Sequence, residues 1–340
     1  MNSDTFFSHE PFELESGAVL PGIHIQYATA GQLNEARDNV IWVCHALTGN
    51  AVVTDWWSQL FGAGKIFDPD RFFIICANML GSCYGSTYAL SPRAEGEDPW
   101  YHDFPLLTNR DIARGFDLLR RHLGLEKIHL SIGSSLGGQQ LLEFAYLQPE
   151  VFQHIVPIAT NAKHSPWGIA FNEAQRMSIA ADASWKEQNP AAGMEGMKAA
   201  RATALLSYRG YDTYEKTQTD AEEKWDDFRA SSYQRYQGEK IARRFDAFAY
   251  WTLSKAMDSH DIGRGRGGAK AALGQIPARA LVIGVSSDLL FPVAEQKFLA
   301  EHLPQATYAE IDSIYGHDGF LVEMDQLNGI LLDFLASTTA

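Results

Sequence analysis

The chain has 340 residues with 28 Lys and Arg against 42 Asp and Glu, a formal net charge of −14, and it is 46% apolar and 21% charged. That acidity argues against a nucleic-acid or anionic-membrane surface as partner, and the apolar content supports a large core, which excludes disorder and a small disulfide scaffold. Three cysteines suit a reducing compartment, and the sequence shows neither a basic-then-apolar leader nor an apolar run of about eighteen residues, so the expectation is a soluble, cytoplasmic protein.

In chain order, ELESGAVLPGIHIQYATAG from Glu13 alternates around Gly17 and Pro21-Gly22 and reads as an antiparallel hairpin at a sheet edge. Strands are predicted for IHIQYATA from Ile23, VIWVC from Val40, FFIICA from Phe72, KIHLSIG from Lys127, HIVPIA from His154, ARALVIGV from Ala278 and TYAEID from Thr307. Cys44 and Cys76, inside two of these runs, read as buried strand residues. Helices are predicted for DIARGFDLLRRHLG from Asp111, capped by Asn109 or Asp111, and for GGQQLLEFAYL from Gly137. This rhythm predicts an α/β fold with a mostly parallel central sheet flanked by helices. It breaks between residues 161 and 275, where helical patterns rich in Ala, Met, Tyr and Trp replace strands. The expected organisation is a core of 1–160 and 276–340, with 161–275 inserted as a helical lid over the end of the sheet where such folds bind ligands.

The sharpest motif is Gly133-Ser134-Ser135-Leu136-Gly137-Gly138, directly after a strand and directly before a helix. That is the context of a nucleophile elbow, in which small neighbours let a serine occupy a tight turn and project its hydroxyl above the sheet. Ser135, not Ser134, is the expected nucleophile; the other reading is an ordinary Gly-rich turn. A serine needs a base and a residue that orients the base, in the chain order Ser, acid, His for this fold. Asp288 in VSSDLLFP and His317 in IYGHDGFL follow the last two strands and satisfy that order. His45 and His164 are the other loop histidines considered, and both precede Asp288. The oxyanion would lie against the N–H of Leu136 and a second N–H from His45-Ala46-Leu47-Thr48-Gly49-Asn50, with Leu47 as the candidate, unless that loop merely connects strand and helix.

Acyl transfer through an acyl-serine follows from these residues, whereas the acceptor does not. HALTGNA, NMLGSCYGST, GSSLGG, LSYRGYDTY, YQGEKIARRFDAFAY, AMDSHDIGRGRGG, SSDLLFP and YGHDGF, in that order over nearly the whole chain, resemble the homoserine O-acetyltransferase family of α/β-hydrolase-fold enzymes. The resemblance implies an α/β-hydrolase core with a helical lid, acetyl-CoA as co-substrate with no permanently bound cofactor, L-homoserine as acceptor on the route to methionine, and a homodimer. By motif it makes Ser135, Asp288 and His317 the triad, with Leu47 and Leu136 as the oxyanion hole. It assigns Arg209 to the homoserine carboxylate, which a guanidinium can pair with bidentately, and Asp318 to its ammonium.

Tyr88-Ala89-Leu90-Ser91 and the GSS elbow depart from the commoner family pattern, which opens the choice between acetyl and succinyl. Arg264 and Arg266 in GRGRGG are either a contact for the coenzyme A phosphates or a basic surface loop. No metal cluster, P-loop or dinucleotide fingerprint appears. The competing readings are an esterase with the same triad and a scaffold that has lost its acceptor; the complete triad argues against the scaffold.

Overall fold

The computed structural model describes residues 1–94 and 96–337; residues 338–340, at the end of the expected core segment, lie outside the described residues. The chain begins with β1 (Asn2–Ser8), β2 (Phe12–Glu13), β3 (Val19–Leu20), β4 (Ile23–Ala30), β5 (Val40–Cys44) and β6 (Phe73–Ala77). Then come α1 (Asn109–His122), β7 (Ile128–Ser134), α2 (Leu136–Leu147) and β8 (Phe152–Ile158). A helical stretch follows: α3 (Pro166–Ala180), α4 (Met194–Tyr208), α5 (Tyr211–Gln218), α6 (Arg229–Ala242), α7 (Ala247–Asp258) and α8 (Ala269–Leu273). The chain closes with β9 (Arg279–Val285), α9 (Val293–His302), β10 (Ala306–Ile311), α10 (Gly319–Val322) and α11 (Met324–Ala336).

One eight-stranded sheet runs β1-β4-β6-β5-β7-β8-β9-β10. From β6 to β10 neighbouring strands are parallel, and β4 and β1 are antiparallel additions at one edge. Helices cover both faces, which is why β5 is apolar throughout: Val40, Trp42 and Cys44 enter one core while Ile41 and Val43 enter the other. Trp42 meets Phe144 of α2 edge to face at 5.4 Å, locking that helix to the sheet.

Two local expectations change. ELESGAV does not pair with β4; it forms a separate two-stranded ribbon, β2 with β3, and β4 pairs with β1 on one side and β6 on the other. β1 gave no strand signal because Phe6 is its one buried residue. The cap of α1 is Thr108 rather than Asn109 or Asp111. Thr108 is extended and accepts from Asp111 N, while Asp111 Oδ2 accepts from Thr108 N at 2.9 Å, a reciprocal capping box. Cys44 and Cys76 are buried as expected, and all three cysteines are unbridged. Among the described residues no helix is long and apolar enough to cross a membrane.

The parallel topology gathers the carboxyl ends of β5, β7, β9 and β10 on one side of the sheet. Leu47, Ser135, Asp288 and His317 all lie in the loops that leave those ends.

Candidate active site

β7 ends at Ser134 and α2 begins at Leu136, so Ser135 alone connects them. Its backbone has φ 56° and ψ −125°, which a non-glycine residue keeps only where its surroundings enforce it. Three glycines allow the enforcement. A Cβ on Gly133 would lie 2.4 Å from the Gly137 carbonyl oxygen, one on Gly137 would lie 2.2 Å from the Cys44 carbonyl oxygen, and one on Gly138 would lie 2.6 Å from Thr160 Cγ2. Any side chain at these positions would push α2 off the sheet. Ser135 N donates to Ile158 O at 2.9 Å and Thr160 Oγ1 donates to Ser135 O at 2.8 Å, which holds the strained residue against β8. Ser134 is buried away from the cavity that Ser135 lines.

His317 Nε2 lies 2.9 Å from Ser135 Oγ, and His317 Nδ1 lies 2.6 Å from Asp288 Oδ2. Asp288 Oδ1 accepts from the N–H groups of Leu290 at 2.8 Å and Phe291 at 2.9 Å, which fixes the plane of the carboxylate. With Nδ1–H donating to Asp288, Nε2 is left to accept the serine proton. Phe291 stacks on the imidazole at 5.1 Å and Phe320 meets it edge-on at 5.3 Å, so the ring cannot swing away. The other two histidines are occupied elsewhere. His45 is buried, its Nδ1 donates to Ala46 O at 2.9 Å, and burial lowers its pKa to about 4; burial does the same to His164.

Leu136 is the first residue of α2, where a backbone N–H has no acceptor within the helix. The Leu47 N–H finds no backbone acceptor among the described residues, and Leu47 lines the same cavity as Ser135 and His317. That cavity has a volume of about 150 Å³, well below the roughly 300–1,000 Å³ of pockets for drug-sized ligands, and suits a small metabolite.

Arg209, the residue after α4, and Asp318, the residue after His317, come together as an ion pair with Nε to Oδ2 at 2.9 Å. Asp318 lines the cavity. Among the described residues the arginines in its wall are Arg201 and Arg244, while Arg209 lies 5.6 Å over the ring of Tyr233.

The helical stretch is fastened to each catalytic loop. Trp167 Nε1 of α3 donates to Leu289 O, beside Asp288, at 2.8 Å. Thr213 Oγ1 of α5 donates to Ile314 O, ahead of His317. Arg244, between α6 and α7, donates to Thr48 O, to Thr48 Oγ1 at 3.2 Å and to the Tyr84 hydroxyl at 2.7 Å.

Residues 39–323 match the model of the α/β hydrolase fold family. The chain is 53% identical over 334 residues to a protein of Cyclobacterium marinum named homoserine O-acetyltransferase, covering 98% of this chain and 95% of that one. The chain belongs to the homoserine O-acetyltransferase family. In three dimensions this family member resembles a homoserine O-acetyltransferase from Bacillus anthracis, with TM-score 0.89, 24% identity, and 98% and 97% of the two chains covered. It also resembles an acetylester hydrolase from Corynebacterium glutamicum, with TM-score 0.86, 23% identity, and 97% and 94% covered. At those identities both likenesses speak to the fold alone, and the fold serves transferase and esterase alike.

The homoserine O-acetyltransferase family frame also places the departures noted in the sequence. Tyr88, Ala89, Leu90 and Ser91 do not line the Ser135 cavity; Ala89 instead faces a separate cavity of about 340 Å³ walled by Trp185, Phe248 and Trp251. Arg264 and Arg266 are committed to the protein: Arg264 pairs with Glu15 at 2.7 Å, and Arg266 pairs with Glu143 at 2.7 Å and lies 3.8 Å over Tyr146. These pairings tie the GRGRGG loop to α2 and the N-terminal ribbon, and Arg264 stays exposed at the surface. No group of three or more His, Cys, Asp or Glu that could hold a metal ion occurs among the described residues. Sequence reasoning passed over Arg201, Tyr208 and Arg244. A signal existed for the first two, since seven residues on a helix return to the same face.

Proposed function

We propose that the protein is a homoserine O-acetyltransferase that moves an acetyl group from acetyl-CoA to the side-chain hydroxyl of L-homoserine, a step of methionine biosynthesis. The observation that carries this reading is the 53% identity over 98% of the chain to a relative of that name. The Arg209–Asp318 pair beside His317 supports an amino-acid acceptor, because a zwitterion can exchange into it with its ammonium on Asp318 and its carboxylate on Arg209.

In the proposed reaction His317 Nε2 takes the Ser135 proton as Oγ attacks the thioester carbonyl. The N–H groups of Leu47 and Leu136 face the oxyanion. Collapse breaks the C–S bond, His317 returns the proton to the departing thiolate, and the acetyl group stays on Ser135. The homoserine hydroxyl then gives its proton to His317 and attacks the ester carbonyl, and the second collapse frees O-acetylhomoserine and restores Ser135–OH. Asp288 stays ionised throughout and steadies the imidazolium. We read residues 161–275 as the lid that keeps water from the acyl-enzyme while it waits for its acceptor. The unbridged cysteines agree with a cytoplasmic setting, and the homodimer is carried over from the family resemblance.

The second reading is an esterase that uses the same triad and lets water deacylate Ser135, since the fold serves both chemistries. Mass spectrometry after exposure to acetyl-CoA alone, followed by release with and without L-homoserine, separates the two. The transferase gives acetyl-Ser135 that persists in water and is discharged by homoserine, and initial rates at several fixed homoserine levels give parallel double-reciprocal lines. Discharge at the same rate without homoserine establishes the esterase. The same experiment with succinyl-CoA decides the donor.

A further inference from the structure

Arg201 and Tyr208 lie two turns apart on one face of α4. The Tyr208 ring is 5.8 Å from the His317 ring, and the Arg201 guanidinium lies 5.3 Å over Tyr208, so the arginine is one ring removed from the base. Arg201 lines the Ser135 cavity, its Nε is buried with no acceptor, and no carboxylate pairs with it among the described residues. One neighbouring donor shares that state. The Tyr214 hydroxyl is buried and unpartnered, its ring meets that of Tyr233 edge to face at 6.1 Å, and both hydroxyls feel the charges of Arg201 and Arg209.

A buried donor left without an acceptor is destabilising, and a charged one more so. Arg209 has its counter-charge in Asp318, whereas Arg201, which lines the cavity, has none, so the wall beside His317 carries positive charge that no carboxylate balances. An acetyl thioester brings no charge to the carbonyl that Ser135 attacks, whereas an amino-acid acceptor brings a carboxylate.

We propose that Arg201 is a second cation for the acceptor's α-carboxylate and determines the preference for an amino acid over a plain amino alcohol. The proposal rests on the acceptor reading above. The same carboxylate chemistry could come from the far end of a succinyl donor, and the experiment separates the two sources.

Arg201→Met and Arg201→Lys are compared with the wild type in two half-reactions: acylation of Ser135 by acetyl-CoA or succinyl-CoA, and discharge of acetyl-Ser135 by L-homoserine or by 3-aminopropan-1-ol, which is homoserine without its carboxylate. The wild type prefers homoserine. In Arg201→Met that preference falls by roughly 30-fold or more, through weaker saturation by homoserine; lysine restores part of it, and acetylation hardly changes, which also reports that the variant is folded. An unchanged preference in the methionine variant overturns the proposal. So does an equal fall of both half-reactions in both variants, which makes Arg201 structural, or a loss confined to acylation by succinyl-CoA, which assigns it to the donor. A wild type discharged no faster by homoserine than by water overturns the acceptor reading and this proposal together.

Discussion

Gly316 faces Tyr208 so closely that a Cβ on the glycine would lie 2.7 Å from the tyrosine's carbonyl oxygen, and its φ of 61° is in the left-handed region. The residue next to His317 therefore seats the backbone at the end of α4, and a side chain would disturb both at once. Gly316→Ala should destabilise the fold by roughly 1–3 kcal/mol, read from urea unfolding. Acylation of Ser135 should slow as well, since His317 moves with its neighbour. Unchanged stability and rate would mean that the loop and helix separate freely.

Arg209 and Asp318 should separate the two half-reactions. Arg209→Ala removes the counter-charge of Asp318 and one of the cations proposed for the acceptor carboxylate, an effect of about 2–5 kcal/mol for a buried pair, so kcat/KM for homoserine should fall roughly 30-fold to several thousandfold. Acetylation of Ser135 should be much less affected, and lysine should rescue only in part. Rapid-quench measurement of each half-reaction checks this.

Arg244 reaches across from the helical stretch to hold Thr48, the neighbour of Leu47. Arg244→Met should let that loop drift and misplace a donor by a fraction of an ångström, slowing acylation by up to about 100-fold. Binding of acetyl-CoA, followed by calorimetry in a variant that also lacks the serine nucleophile, should change little.

Glu295, in the first turn of α9, accepts from Asn161 Nδ2 at 3.0 Å, and burial, reinforced by the charge of Asp288, raises its pKa to about 7. A carboxyl held above its unfolded value adds stability that is fully present below the unfolded pKa and is lost as pH rises through the folded one. The wild type should therefore lose stability between about pH 4.5 and pH 7, and Glu295→Gln, which keeps an acceptor for Asn161, should remove that part of the slope. Urea midpoints across this range, measured for both proteins, test it.

The meeting of Ser135, Asp288 and His317 was legible because each follows a run that is a strand, and a parallel sheet brings such loop residues together. β1 was not, since an edge strand with one buried residue has no periodicity to read. The start of α1 was misplaced because Thr108, Asn109 and Asp111 can each cap, and only backbone angles choose among them. Arg201 and Arg209 posed a harder problem. Motif likeness pointed to the arginine next to Tyr208, while the one left without a counter-charge is two turns earlier, and pairing is a property of three-dimensional neighbours.

The three ties from α3, α5 and the α6–α7 connection end on the loops of the acid, the base and the oxyanion donor. If residues 161–275 serve as the proposed lid, a cover anchored in this way cannot lift and leave those loops in place. Any motion wide enough to flood the acetyl-serine with solvent also draws Asp288, His317 or Leu47 from its station, so a wet site is an unassembled one. Protection of the proposed intermediate would then not depend on how seldom the cover opens. It follows from water and a working base being mutually exclusive, and a small substrate has to enter through the cavity mouth rather than by raising the cover.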